Sequence, residues 1–88
     1  MPSPTRPTPA SLTTSWPDVP SVDPAGEKAR LFALSLRRAI DDRSVRSVAA
    51  AASLNEATVR RVLAGAAWPD LHTIAVLEST LGLRLYPS

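Results

Sequence analysis

Residues 44–65 have the sequence SVRSVAAAASLNEATVRRVLAG, in which two short helical patterns are separated by a three-residue break. The first pattern runs over 45–52, where Ser44 can cap it and alanine, the residue of highest helix propensity, dominates. The break ends at Asn55, which can cap the second pattern over 56–64. This stretch therefore predicts a helix, a tight turn and a second helix.

Helical patterns also flank this stretch. Upstream, the segment 25–42 repeats apolar side chains every three or four positions, the spacing of an amphipathic helix: Ala29, Phe32, Leu36 and Ile40. Downstream, Gly65 suits the position after a helix end, Asp70 can cap a fourth helix over 71–80, and Gly82 can end it. The sequence thus predicts an all-α fold of four helices.

The two ends of the chain differ from this helical part. Seven of the nine prolines precede Ala25 and are mixed with Ser and Thr, so we expect residues 1–24 to be a disordered tail. Residues 83–86 alternate apolar and polar side chains, which favours a short strand. That strand would pair with its copy in a second chain or pack on the first helix of its own chain. The predicted domain is 25–88.

Composition limits the function. The chain of 88 residues has room for one domain, and it contains no Cys, one His and no long apolar stretch. We therefore expect a cytoplasmic protein that is not an enzyme, has no cofactor and binds neither metal nor membrane. The net charge is only +2, yet four arginines crowd one short segment against Glu56: Arg43, Arg46, Arg60 and Arg61. That local bias suits a phosphate backbone, although a solvated surface would explain it equally.

The alanine-rich helix followed by an Asn-capped helix with arginines resembles the helix-turn-helix of the Cro and phage-repressor (XRE) family over residues 36–85. Five residues fall on the family's core positions: Val48, Ala49, Leu54, Val59 and Val62. Residues 68–82 look like the family's fourth helix. The resemblance implies a compact lambda-repressor-like domain and a small transcriptional regulator of high-GC bacteria, with the helix over 56–64 in the major groove of double-stranded DNA.

The resemblance also implies roles for individual residues. Base reading falls to Glu56, Ala57 and Arg61, where Arg61 could bind guanine O6 and N7 and Glu56 could accept from cytosine N4. Placement of a carboxylate at a helix N-terminus is the competing reading of Glu56. DNA backbone contacts fall to Ser44, Arg46, Asn55, Thr58, Arg60 and Arg38.

Three residues depart from the family pattern. Val45 replaces a Gln that opens the second helix, and it cannot hydrogen-bond a phosphate. Ser53 replaces the turn Gly, so it must adopt a positive φ or the turn must shift. Leu63 replaces a common Glu, which leaves Arg38 without its usual partner.

The leading functional hypothesis is sequence-specific DNA binding that regulates transcription, with repression at a promoter as its main form, in a protein associated with the nucleoid. A homodimer would present two such helices, and its predicted interface strand holds Leu83, Leu85 and Tyr86. The alternative is a protein-interaction module or antitoxin that binds a protein partner through the tail, with Trp16 and Val19 as anchors.

Trp68 and His72 give weaker indications of function. Trp68 is expected to pack under the loop between the third and fourth helices. His72 has no second His, Cys or carboxylate cluster nearby in the sequence, so it predicts neither catalysis nor a metal site.

Overall fold

The computed structural model describes residues 7–85, and its regular structure is entirely helical. Four α-helices follow one turn of 3-10 helix, Pro9–Leu12: α1 (Pro24–Ile40), α2 (Val45–Ala51), α3 (Glu56–Leu63) and α4 (Leu71–Leu81). The predicted all-α class is confirmed, and the helix bounds differ from the predicted ones by at most two residues.

Each α-helix begins at a side chain that accepts a hydrogen bond from an amide of the first turn. The four capping residues are Asp23, Ser44, Asn55 and Asp70. Such caps satisfy amides that have no partner inside the helix. Gly65 (φ 70°) and Gly82 (φ 66°) follow α3 and α4 in the left-handed conformation that glycine favours. The caps and stops predicted from the sequence are confirmed.

The core lies where the four helices meet. Phe32 and Leu36 of α1 have no exposed surface, and the same holds for Val59 of α3 and Leu77 of α4. The small side chains of α2 let the neighbouring helices approach closely, and Ala49 is only 1% exposed. Because α3 buries only one side, its other side remains available to solvent or a ligand.

Ser53 lies in the turn between α2 and α3, where the sequence predicts either a positive φ at this residue or a shifted turn. This residue has a φ of 57°, so it adopts the left-handed conformation rather than shifting the turn. The amide of Leu54 donates to the carbonyl of Ala49 at 2.8 Å, which holds the turn closed. A non-glycine residue in this conformation costs about 1 kcal/mol.

The predicted disorder of the tail is wrong for residues 7–23, which we call the N-terminal strap. The amide of Ala10 donates to the carbonyl of Gly65 at 3.0 Å, and Arg30 Nη1 donates to the carbonyl of Pro17 at 3.1 Å. Pro9 and Pro17 are buried. Prolines lower the entropy that a segment loses on folding, and here the surfaces of α1 and α3 give the segment apolar area to bury. Of the rest of the predicted tail, Pro24 is the first residue of α1, and residues 1–6 lie outside the described part of the chain.

The predicted C-terminal strand is also corrected, because residues 7–85 contain no strand. Leu85 is 3% exposed and belongs to the core of its own chain, whereas Leu83 is 53% exposed. The amide of Leu85 donates to Glu78 Oε2 at 2.7 Å, so a carboxylate occupies the donor that a strand partner would need. Leu85 therefore packs on its own domain, and Tyr86 lies outside the described residues.

An ion pair within α1 also makes hydrogen bonds to the backbone of the strap. Arg30 is 8% exposed, and its guanidinium donates to both carboxylate oxygens of Glu27, at 2.8 and 2.6 Å. Glu27 also accepts from the amide of Ser21, in the strap, at 2.8 Å. The hydrogen bond from Arg30, followed by that from Ser21, lowers the pKa of Glu27 from 4.5 to about 2.

This lowered pKa predicts how stability changes in acid. Because the ionised form of Glu27 is favoured in the folded chain, its contribution is complete above pH 4.5 and is lost as the pH falls towards 2. Urea unfolding measured between pH 6 and pH 2 should show this loss. In Glu27→Gln the fall in stability over that interval should be smaller, and an identical pH profile in the two proteins would contradict the prediction.

Candidate nucleic-acid interface

The outward side of α3 is formed by polar and small side chains. Val59 and Val62 face the core and are 0% and 3% exposed. Leu63 is partly buried against the core, and four other positions of the helix are exposed: Ala57, Thr58, Arg60 and Arg61. All four were predicted from the sequence as DNA contacts, and the structure brings them together on one accessible surface.

Glu56 joins this surface to α2 through two arginines. Its Oε2 lies 2.6 Å from Arg60 Nε, one helical turn further along α3, and its Oε1 lies 3.3 Å from Arg46 Nε in α2. The hydrogen bond from Arg60, with that from Arg46, holds the pKa of Glu56 below its ordinary value. Both carboxylate oxygens therefore have arginine partners, which differs from the free acceptor that base reading by Glu56 would need.

Arg61 differs from its neighbour Arg60. It is exposed, and no ion pair or side-chain hydrogen bond within residues 7–85 involves its guanidinium. All five of its N–H donors can therefore turn towards a ligand. Together, Arg46, Arg60 and Arg61 set three positive charges against the one carboxylate of Glu56, so the surface is basic.

Ser44 and Asn55 have the capping geometry that the sequence predicted. Ser44 Oγ accepts from the amide of Ser47 at 2.9 Å, and Asn55 Oδ1 accepts from the amide of Ala57 at 2.8 Å. Both capping residues are exposed. Their side chains therefore stabilise α2 and α3 while lying at the start of the helices that carry the arginines.

Arg38 lies apart from the α3 surface, on α1. It is exposed and lines a cavity of about 240 Å³ with Ser35, Ala39 and the segment 83–85. That segment brings Arg84, which the sequence analysis did not single out, to the same cavity. The only sequence signal for Arg84 was its place between two leucines, and its approach to Arg38 depends on the burial of Leu85.

The aromatic residues of the strap and the loop have structural contacts. Trp16 Nε1 donates to the carbonyl of Leu63 at 2.9 Å, and Trp68 Nε1 donates to the carbonyl of Pro7 at 2.8 Å. Trp68 thus packs near the loop before α4, against the strap. Val19 is 38% exposed. Trp16 is held within the fold, so in this conformation it does not offer a free anchor to a partner.

Residues 7–85 show neither a metal site nor a membrane-spanning helix. No three His, Cys, Asp or Glu side chains there are grouped closely enough to hold a metal ion, and His72 is exposed. None of the helices in this part of the chain has both the length and the apolar character needed to cross a bilayer.

The basic surface of α2 and α3 is therefore the candidate site. No protein-family model matches the chain, and no curated protein or solved structure matches it either.

Proposed function

We propose that the chain is a helix-turn-helix protein that binds double-stranded DNA in a sequence-dependent manner and thereby regulates transcription. The observation that carries this proposal is the outward surface of α3, where Arg60 and Arg61 are exposed and Arg46 is drawn to the same surface by Glu56. A basic surface on the exposed side of a helix suits the phosphates and base edges of a duplex.

The dimensions of α3 support major-groove binding. The helix has eight residues, and at 1.5 Å per residue it is about 12 Å long. The major groove of B-DNA is about 12 Å wide, which fits the diameter of about 10–12 Å of an α-helix with its side chains, so the short α3 can lie along the groove. Because α2 packs against α3 from one side only, α3 can enter a groove while α2 rests over the backbone.

The contacts of the arginines support different proposed tasks for them. Arg61 has free donors and is the proposed base reader, with guanine O6 and N7 as its preferred acceptors. Arg60 and Arg46 are proposed to bind phosphates, with Glu56 holding their guanidiniums in place rather than reading a base. Thr58 and the capping residues of α2 and α3 are proposed to make further contacts with the DNA backbone.

The arginines Arg38 and Arg84 are proposed as an additional backbone contact. Arg38 and Arg84 line one small cavity, and within residues 7–85 no Asp or Glu lines it with them. One phosphate could accept from both. Specific binding through a single helix would then call for two copies of the chain on adjacent half-sites.

The proposal predicts the effect of two substitutions in α3. A duplex is first selected from a random pool with the wild-type chain, and affinities are measured by fluorescence anisotropy at several salt concentrations. Arg61→Ala should weaken binding by about 1 to 3 kcal/mol and relax the preference at one base pair. Arg60→Ala should weaken binding to all sequences alike and reduce the slope of log affinity against log salt by about 1.

Lys28→Ala is the matched control, because it removes a positive charge from α1 rather than from α2 or α3. It should leave sequence preference unchanged. If the wild-type chain retains no duplex at low salt, or if Arg61→Ala behaves as Lys28→Ala does, the proposal is wrong. Salt-independent capture of a protein by the wild-type chain and by Arg61→Ala would instead favour the interaction-module alternative.

A further inference from the structure

The N-terminal strap reaches the C-terminal end of α3, far from it in the sequence. The indole N–H of Trp16 donates to the carbonyl of Leu63, the last residue of α3 and 47 positions away. The indole ring also lies directly on Gly65, where an added Cβ would come within 2.6 Å of Trp16 Cε2. The carbonyl of Gly65, two residues after the end of α3, accepts a hydrogen bond from the amide of Ala10 at 3.0 Å.

The hydrogen bond from Trp16 is made to a backbone carbonyl that has no partner within the helix. The last four carbonyls of an α-helix have no partner inside the helix, and Leu63 carries one of them. A helix of eight residues is also too short to be stable alone, so its surroundings determine where it lies. Asn55 fixes the beginning of α3, and the strap fixes its end.

Other contacts anchor the strap on the domain, so it can hold the end of α3 in place. Its Pro17 carbonyl accepts from Arg30, and Arg30 is paired with Glu27 on α1. Ser21 Oγ donates to the carbonyl of Leu12, which closes the strap on itself. Trp16 therefore connects the end of α3 to a segment anchored on the longest helix of the domain.

We propose that Trp16 is a positioning residue for α3, one that sets the placement of Arg60 and Arg61 on DNA without touching DNA itself. This inference rests on the proposed DNA binding by α3. Trp16 acts through the Leu63 carbonyl and through ring contact with Gly65, so the hydrogen bond and the packing contribute separately. Loss of both should let the last turn of α3 fray and shift the two arginines that lie in it.

The test compares Trp16→Ala and Trp16→Phe with the wild-type chain. Trp16→Ala should weaken binding to the selected duplex about tenfold, and Trp16→Phe, which keeps a ring but loses the N–H donor, should weaken it about threefold. Hydrogen exchange at the amides of Ala64, Gly65 and Ala66 should become faster in Trp16→Ala. These amides donate to carbonyls of the last turn of α3.

Ile74→Ala is the control for a general loss of stability, because it truncates a buried side chain of α4. All variants are compared at a temperature at which circular dichroism shows them folded. Equal DNA affinity in wild type and in both Trp16 variants, or losses no larger than that of Ile74→Ala, would overturn the proposal.

The exchange measurement separates this proposal from the proposed function. If the wild-type chain binds no duplex, the DNA-binding proposal fails. Faster exchange at residues 64–66 in Trp16→Ala, but not in Ile74→Ala, would still show that Trp16 fixes the end of α3. Unchanged exchange would overturn the positioning role independently of any DNA measurement.

Discussion

Leu85→Ala is expected to lower the free energy of unfolding by about 3 kcal/mol, the range typical of truncating a buried leucine. Leu85 is 3% exposed and belongs to the hydrophobic core, to which all four helices contribute side chains. Its truncation leaves a cavity close to the end of the chain, where backbone relaxation fills only part of it. In a domain of this size the thermal midpoint should fall by more than about 10 °C, as measured by circular dichroism.

Leu83→Ala provides the matched control. The same side chain is shortened two positions earlier, but Leu83 is 53% exposed, so the loss should stay within about 0.5 kcal/mol. If the two leucines instead formed one face of an intermolecular strand, the substitutions would have similar effects. Both would then reduce the molecular mass seen in sedimentation, and that result would contradict burial of Leu85 within its own chain.

The helices were predictable because their signals are local. Asp23, Ser44, Asn55 and Asp70 each precede a helix that they cap, and such caps depend only on residues three positions or fewer away. Of these, Asp23 was not singled out because it lies among prolines in the segment predicted to be disordered. The periodicity of α1 and the glycines after α3 and α4 are local in the same sense.

The strap could not be predicted in this way. Its order depends on contacts that span long stretches of sequence, such as Trp16 with Leu63 and Trp68 with Pro7. Proline-rich composition indicates a segment that cannot form helices, but it does not reveal whether another part of the chain offers a surface to cover. Here the strap adds apolar area to a domain that would otherwise be near the smallest size that folds alone.

The candidate site was predictable in its residues but only partly in its pairings. Burial of Val59 and Val62 follows from helical spacing, so the exposure of Arg60 and Arg61 could be expected. The pairing of Glu56 with Arg60 has a local signal, since they are four positions apart on one helix. Its pairing with Arg46 has none, because that contact depends on how α2 and α3 are packed.

Gly65→Ala is expected to cost about 3 kcal/mol of folding free energy, and two separate effects contribute. The φ of 70° is strained for any residue with a Cβ, and the new Cβ would lie 2.6 Å from the Trp16 ring and 2.9 Å from Ala10. The ring cannot move away without losing its hydrogen bond to Leu63. Chemical denaturation of the wild type and the variant measures the total cost.

Gly82→Ala separates the two effects. Gly82 has a similar φ of 66°, but an added Cβ would meet no atom of residues 7–85 within 4 Å, so only the conformational cost of about 1 kcal/mol remains. Combining Gly65→Ala with Trp16→Ala should remove most of the steric overlap between the new Cβ and the Trp16 ring. The double variant should therefore lose less folding free energy than the sum of the two single losses. Additive losses, or equal costs at the two glycines, would show that the Trp16 ring does not lie against the end of α3. The same double variant links stability to function, because the contact it probes is the one proposed to hold the arginines of α3 in register with a duplex.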